Sequence, residues 1–269
     1  MVRRRAGPLD AVVPYGPLAE AYDIVHARKP YAREAGAVRA LARRHAHRPL
    51  RSLLDVACGS GRHLEAFSRW FDCAGVDASA AMLARARTRV PSADLHLGRM
   101  ETFDLGREFD VVTCLFSAIG YVRSVRELRR TLRNFARHTA PGGVVVVEPW
   151  LTPGAFREGS VHHLTAVHQG TAVLRANSSE RRRGRSVMEF HYLLGRPGSV
   201  EHFVETHDCG LFDVRTMKAA FRSAGLLVRY LPQGLESGRG LYVARRPELG
   251  DVGRMRTLRA RRSRRREGR

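Results

Sequence analysis

The chain has almost no lysine: of its 47 basic residues, only Lys29 and Lys218 are not arginine. A formal net charge of +21 ordinarily points to a nucleic-acid partner. An excess carried so completely by arginine reads as well as a coding bias. Part of it is also local. From Pro247 to Arg269 there are nine arginines and three acids, net +6, which leaves +15 on the body. That tail lacks apolar periodicity and is expected to be disordered. Long hydrophobic runs are absent too, none approaching the roughly 20 residues that span a bilayer. Behind Met1-Val2-Arg3-Arg4-Arg5 stands only Ala11-Val12-Val13. A secretory signal needs about 7–15 apolar residues, so no signal peptide is expected and a cytoplasmic location is. The four cysteines, Cys58, Cys73, Cys114 and Cys209, show no C-x-x-C spacing, which argues against a metal or disulfide framework. His162, His163 and His191 lack ligand spacing as well, so no metal is expected.

What is present begins at Leu53–Leu64, L-L-D-V-A-C-G-S-G-R-H-L. An apolar run ends in Asp55, and Gly59-Ser60-Gly61 turns into a helix. The missing Cβ atoms let backbone close on a ligand. A strand that passes to a helix through such a turn is the nucleotide corner of a doubly wound α/β sheet. Asp77 follows Asp55 by 22 residues, where such folds hold ribose hydroxyls. The third glycine of a pyrophosphate-binding turn is missing; Leu64 stands there. Asp55 would repel a diphosphate and attract an ammonium. S-adenosylmethionine carries a ribose, a sulfonium and an ammonium, and no phosphate, so the pair Asp55 and Asp77 favours it over a dinucleotide. Cys58, inside the turn, reads as a small buried residue rather than a nucleophile.

Length suits one α/β domain with an insertion. Residues 1–14 are expected to be a flexible start. Leu18–Arg44 reads as helical with a break at Lys29-Pro30. Strands are expected at Arg51–Val56, Phe71–Val76, Leu95–Leu97, Asp110–Leu115 and Val144–Val147. Helices fall between them at Arg62–Trp70, Ser79–Thr88, capped by Ser79, and Val125–His138, stopped by Pro141-Gly142-Gly143. From Trp150 to Asp213 four strands without helices, at Val161–Val167, Thr171–Ala176, Val187–Leu194 and His202–Cys209, read as an antiparallel insertion. Helix Val214–Ala224 and strands Leu226–Leu231 and Leu241–Ala244 close the pattern. The expected fold is therefore α/β: a Rossmann-like class I methyltransferase sheet with helices on both faces and an antiparallel insertion after the fifth strand. The expected divisions are a cofactor-binding α/β domain over 15–150, a substrate-binding insertion over 151–213, the end of the α/β domain over 214–246, and the basic tail over 247–269.

Several stretches together resemble a narrower family. They are Tyr15-x6-Tyr22-Asp23, Leu53–Gly61, Cys114–Tyr121 (C-L-F-S-A-I-G-Y), Phe135–Trp150, Glu189–Leu193 and Ser237–Gly240 (S-G-R-G). They resemble the dTDP-amino-sugar N,N-dimethyltransferases that make the dimethylamino sugars of macrolide antibiotics, over roughly residues 15–246. The resemblance implies S-adenosylmethionine as cofactor, in a pocket lined by Tyr22, Ala57, Asp77, Met100 and Leu115 beside Gly59 and Gly61. It implies a nucleotide-sugar substrate touched by Tyr15, Tyr31, Ser117, Trp150, Arg175 and Arg239. Arginine offers a fork of donors to a diphosphate, and indole a flat face to a ring. One departure stands out. The family's Gly-Asp-Met reads Gly98-Arg99-Met100 here, and Arg99, at the adenine side of the pocket, cannot accept a hydrogen bond.

The implied reaction is in-line methyl transfer to a sugar amine, performed twice. Only a neutral amine has a lone pair, so its proton must be removed or its pKa shifted. Tyr15 and Tyr121 are the catalytic candidates, expected to orient the amine and pass its proton on. Glu148, at the end of a buried strand, reads equally as a proton acceptor further back and as a structural partner. Methylation of another small molecule or of nucleic acid is the alternative. Against nucleic acid, no Asn/Asp-Pro-Pro-Tyr-like run follows the fourth strand. An antiparallel insertion can also offer a surface for a homodimer.

Overall fold

Adjacent residues of the central strands are buried on opposite sides. Leu53, Val111, Val144 and Val146 pack into one apolar cluster, and Leu54, Val112, Val145 and Val147 into another. Strands that read as unbroken hydrophobic runs are the mark of a sheet covered on both faces. A computed structural model describes residues 18–248. Tyr15, the expected flexible N-terminus and nearly all of the expected disordered tail lie outside these residues.

The central sheet is built from β1 (Ser52–Val56), β2 (Asp72–Asp77), β3 (Asp94–Leu97), β4 (Phe109–Cys114), β5 (Thr139–Val147), and later β10 (Leu227–Leu231) and β11 (Leu241–Arg245). Its order is β10-β11-β5-β4-β1-β2-β3. The first five strands run parallel, and β11 is antiparallel to β5. The order reverses between β1 and β4, the topological switch where such sheets bind ligands beyond their carboxyl ends. On one face lie α2 (Tyr31–His45) and α3 (Arg62–Phe67). On the other lie α5 (Val125–Arg137) and α6 (Val214–Ser223). Helix α4 (Ala80–Arg89) starts at Ser79, whose side chain accepts from Met82 N as the sequence leads one to expect.

The four strands β6 (Val161–His168), β7 (Thr171–Arg182), β8 (Arg185–Arg196) and β9 (Ser199–Gly210) form a separate antiparallel sheet in simple meander order. They are longer than the sequence suggests, because tight hairpins carry the pairing to their tips. Gln169-Gly170 and Arg183-Gly184 occupy two-residue turns with both φ positive, at 46° and 77°, and 50° and 75°. This is the backbone that matches strand twist, though Gln and Arg are not the residues that usually announce it. Pro141-Gly142-Gly143 also departs from expectation. It forms no turn ahead of a strand but an irregularity within β5, where register jumps between the pairs Phe109–Thr139 and Val111–Val144.

Helix α1 (Ala19–Val25) joins the two sheets. Leu18, Ala21 and Ile24 pack on Val173, Tyr192 and Leu194 of the antiparallel sheet. On its other side Asp23 is buried against the glycine turn. Its carboxylate accepts from Ser60 Oγ at 2.5 Å, Arg85 Nε at 2.8 Å and Arg89 Nη2 at 2.9 Å, and Arg62 Nε lies at 3.2 Å. Burial alone would raise the pKa of this group, but the bonds from Ser60, Arg89 and Arg85 hold it down at about 2.

Candidate active site

The loop after β1 departs from ordinary backbone three times in five residues. Ala57, Gly59 and Gly61 have φ of 58°, 56° and 80°. At Gly61 a Cβ would also meet Ala86 Cβ at 3.1 Å, so glycine lets α3 start close against α4. Ala57 has no such freedom, and a left-handed non-glycine residue of this kind is typical of a ligand site. The turn is braced by Asp77, whose carboxylate accepts from Gly59 N and Ser79 N, each at 2.8 Å. Burial raises the pKa of Asp77 while these backbone donors oppose the rise.

This loop borders a small cleft lined by Tyr22, Tyr31, Asp55, Ala57, Arg62 and Leu115, among others. Asp55 is buried and accepts from Thr113 Oγ1 at 2.6 Å. Burial pushes its pKa up to about 6, against the pull of His63 and Thr113, with Asp77 adding to the rise. A buried carboxylate, a guanidinium at Arg62 and the buried hydroxyl of Tyr31, which has no hydrogen-bond partner, suit a zwitterionic amino-acid tail. Among the described residues that line this cleft, Arg62 is the one arginine or lysine, too few for a diphosphate. Cys58 lines the same cleft, but its sulfur lies close to Gly75 of β2 and burial raises the thiol pKa well above the usual range, which removes it as a nucleophile.

The cleft continues into the segment Leu115–Tyr121. Leu115 and Phe116 line it. Phe116 and Ser117 are both left-handed, with φ of 51° and 63°, a conformation that costs about 1–2 kcal/mol for each L-residue. Buried Glu148, at the end of β5, offsets this strain. Its Oε2 accepts from Phe116 N at 2.6 Å and its Oε1 from Ser237 Oγ. Ser117 Oγ donates to Pro149 O at 2.7 Å and accepts from Arg239 Nη1 at 3.0 Å. Each oxygen of Glu148 thus carries a hydrogen bond that holds the turn and its neighbouring loop. The Arg239 guanidinium lies 4.5 Å from the centre of the Trp150 ring. Burial lowers the pKa of Arg239 and Glu148 counters it. Trp150 in turn covers Gly120, where a Cβ would meet its Cβ at 2.8 Å. Tyr121 follows at the end of a short 3-10 turn, Ala118–Tyr121. Its hydroxyl is 2.7 Å from His207 Nδ1.

The remaining candidates are more scattered. Arg175 stands on β7 over the Phe190 ring at 4.9 Å, with its buried Nε unpartnered. The Phe190 ring in turn lies 4.5 Å from His207. His26, between Tyr22 and Phe116, has its pKa pushed down to about 3 by burial and by Arg175 and Lys29. Tyr31, expected at the sugar, lines the cleft beside Ala57 and Leu115. Exposed Arg99 turns away to Glu101, 2.6 Å distant. Met100 is held at its carbonyl by Asn134 Nδ2 at 3.2 Å. His207 and Glu205 do not stand out in the sequence, because E-H-F-V-E-T-H-D reads as a solvent face. The signal available was their i, i+2 spacing with Phe203, which places all three on one side of β9. Among the described residues no group of three His, Cys, Asp or Glu side chains is placed to hold a metal.

Strand order, glycine turn and carboxylate cleft together define a class I S-adenosylmethionine-dependent methyltransferase. Residues 53–143 match the model of a methyltransferase-domain family. The dTDP-3-amino-3,6-dideoxy-alpha-D-glucopyranose N,N-dimethyltransferase of Streptomyces fradiae is 46% identical over 231 residues, 84% of this chain and 90% of that protein. The crystal structure of DesVI from Streptomyces venezuelae aligns with a TM-score of 0.80 at 41% identity, covering 88% of this chain and 100% of that one. CalS10, an amino pentose methyltransferase from Micromonospora echinaspora involved in calicheamicin biosynthesis, was solved with S-adenosylmethionine bound. It aligns with a TM-score of 0.75 at 37% identity, covering 88% of this chain and 99% of that one. The chain belongs to the dTDP-amino-sugar N,N-dimethyltransferase family, and its cofactor is S-adenosylmethionine.

Asp55 generates a prediction with opposite signs for stability and binding. Its pKa is higher folded than unfolded, so its stabilising contribution is complete below about pH 4 and is lost as pH rises through about 6. Asp55→Asn should therefore melt a few degrees above the parent at pH 7.5 without ligand, and the gap should narrow at pH 5. Calorimetric titration at pH 7.5 should show S-adenosylmethionine binding weakened about tenfold or more, since its ammonium loses a counter-ion. Unchanged cofactor affinity would remove Asp55 from the site.

Proposed function

We propose that this protein transfers methyl groups from S-adenosylmethionine to the amino group of a dTDP-linked amino-deoxysugar, twice in succession, in antibiotic sugar biosynthesis. The observation that carries the reading is the continuity of one segment. Leu115 and Phe116 line the cofactor cleft, Ser117 binds Arg239, Gly120 backs Trp150, and Tyr121 closes the row. An arginine packed on an indole suits a nucleotide diphosphate and its ring. The bound cofactor supplies an electrophilic methyl on sulfonium. Asp55 holds its ammonium, Asp77 its ribose through the oxygen lone pairs left by Gly59 and Ser79, and Tyr22, Ala57 and Met100 its flanks. Arg239 and Arg175 take the diphosphate, with Trp150 and Ser117 ordering the sugar end. Tyr121, joined by Tyr15, orients the amine lone pair toward the methyl carbon and accepts its proton. Most of the rate comes from this alignment. Tyr31 is reassigned from the sugar to the cofactor tail on account of its place in the cleft. A dTDP-sugar is a cytoplasmic metabolite class, and four unpaired cysteines fit that compartment.

Mass spectrometry of the protein with S-adenosylmethionine and a panel of dTDP-3-amino and dTDP-4-amino deoxysugars, with tRNA as a control, tests this. One sugar should gain two methyl groups and tRNA none. Methylated tRNA with untouched sugars would overturn the reading.

A homodimer is part of the same proposal. The face of the antiparallel sheet turned away from α1 exposes Val161, Val167, Leu174, Leu193, Val200 and Val204. Contiguous apolar surface of this kind favours burial against a second, identical sheet. Light scattering at tens of micromolar should give a dimer for the parent and a monomer for Leu174→Asp/Leu193→Asp. A monomeric parent would contradict it.

A further inference from the structure

Tyrosine is a poor base at neutral pH, with an unperturbed pKa near 10, and each methylation leaves a proton to dispose of. Behind the Tyr121 hydroxyl, however, stands a second group. His207 Nδ1 is 2.7 Å from Tyr121 Oη, and His207 Nε2 is 3.4 Å from Glu205 Oε2. His207 is 3% exposed. Glu205 and His207 lie two residues apart on β9 and share the strand face turned toward Tyr121. The imidazole is fixed from a third side by the Phe190 ring, 4.5 Å away at 62°. A carboxylate facing Nε2 favours the tautomer with hydrogen on that nitrogen and leaves the Nδ1 lone pair to accept from the tyrosine.

We infer that His207 and Glu205 are positioning residues that give Tyr121 its proton sink, so that Tyr121–His207–Glu205 clears the sugar ammonium before each methyl transfer. The inference rests on the proposed amine substrate and on the place of Tyr121 beside it. As the ammonium N–H breaks, its electron pair stays on nitrogen as the attacking lone pair. The proton joins Tyr121 Oη while the original hydroxyl proton passes to His207 Nδ1. Positive charge thereby moves from the sugar nitrogen to an imidazolium facing Glu205, and the proton leaves to solvent when product departs. No oxidant or further reactant is needed.

Other charged groups surround this chain of three. Tyr192 on β8 feels Glu205, Arg175 on β7 stands over Phe190, and Asp208, next along β9, is paired with Arg185 and Arg123. Any pH dependence belongs to this set, so it is read as the difference between parent and variant rather than as one titration.

The test compares the parent with His207→Gln, Glu205→Gln and Tyr121→Phe, using the amino sugar that the parent dimethylates, at pH 7 and pH 9.5. Gln at 207 can keep a hydrogen bond to Tyr121 but cannot take a proton. His207→Gln should lower kcat at pH 7 by about 10²-fold, within the span of general acid–base contributions, and leave KM for the sugar within threefold. At pH 9.5, where solution delivers neutral amine, the deficit should shrink to less than tenfold. Glu205→Gln should lose several-fold at pH 7 and recover in the same way. A purely structural role would give a loss that does not change with pH. Full kcat in His207→Gln at pH 7, or an equal deficit at both pH values, overturns the inference. If His207→Gln melts below the assay temperature, Glu205→Gln decides, and unchanged kcat in it is likewise contradictory. A parent that methylates none of the sugars defeats the proposed function, and the relay with it. A parent that dimethylates a sugar while the variants fail to separate by pH defeats the relay alone.

Discussion

The carboxylate of Glu148 is the contact on which the site depends. It is buried at the end of β5, where it ties the Phe116 amide to the Ser237 hydroxyl. Two consecutive left-handed residues would not hold at the end of β4 without it, since such strain persists only where surroundings over-determine it. The strained turn aims Leu115 and Phe116 at the cofactor cleft and Ser117 at Arg239. Because Ser237 lies in the loop between β10 and β11, Glu148 also fixes the loop that carries Arg239. One buried carboxylate thus sets both the cleft and the proposed substrate side, and in the proposed arrangement it touches neither ligand.

The arginine surplus takes on a different meaning once partners are assigned. Arg62, Arg85 and Arg89 converge on Asp23, which joins α1 to the glycine turn. Arg246 reaches Glu108 at 2.6 Å and the Thr139 carbonyl at 2.5 Å, at the irregular start of β5. Arg196 ties the antiparallel sheet to Glu20 of α1 at 2.8 Å. These are bonds between elements, made by a side chain whose planar fork suits carboxylates and carbonyls. The bonds to Asp23 and Glu20 hold α1 across both sheets, and with it Tyr22 at the cleft.

Much of the fold was legible because its signals are periodic. Four successive valines at Val144–Val147, a glycine turn after Asp55 and a serine before α4 each have one dominant structural reading. The hairpin tips at Gln169-Gly170 and Arg183-Gly184 were less legible, since only the glycine hints at a turn whose other residue is also left-handed. The Pro141-Gly142-Gly143 run reads locally as a turn, but pairing beside β11 draws it into the sheet: Gly142 N donates to Arg246 O and Gly142 O accepts from His47 N. Among the proposed site residues, Asp55, Asp77, Trp150 and Arg239 are singled out by type and place in the sequence. The role of Glu148, the location of Tyr31 and the pairing of Tyr121 with His207 depend on contacts 32 to 89 residues apart in sequence. Local pattern carries no trace of such contacts.

The measurement that tests this account most directly is calorimetric binding of S-adenosylhomocysteine and of dTDP, separately, to the parent protein and to Glu148→Ala, below the melting temperature of both. If one buried carboxylate sets both sites, the two affinities should fall together, each by about tenfold or more, though Glu148 contacts neither ligand. A loss confined to one ligand, or none at all, would contradict the claim that a single turn organises the cofactor and substrate sites.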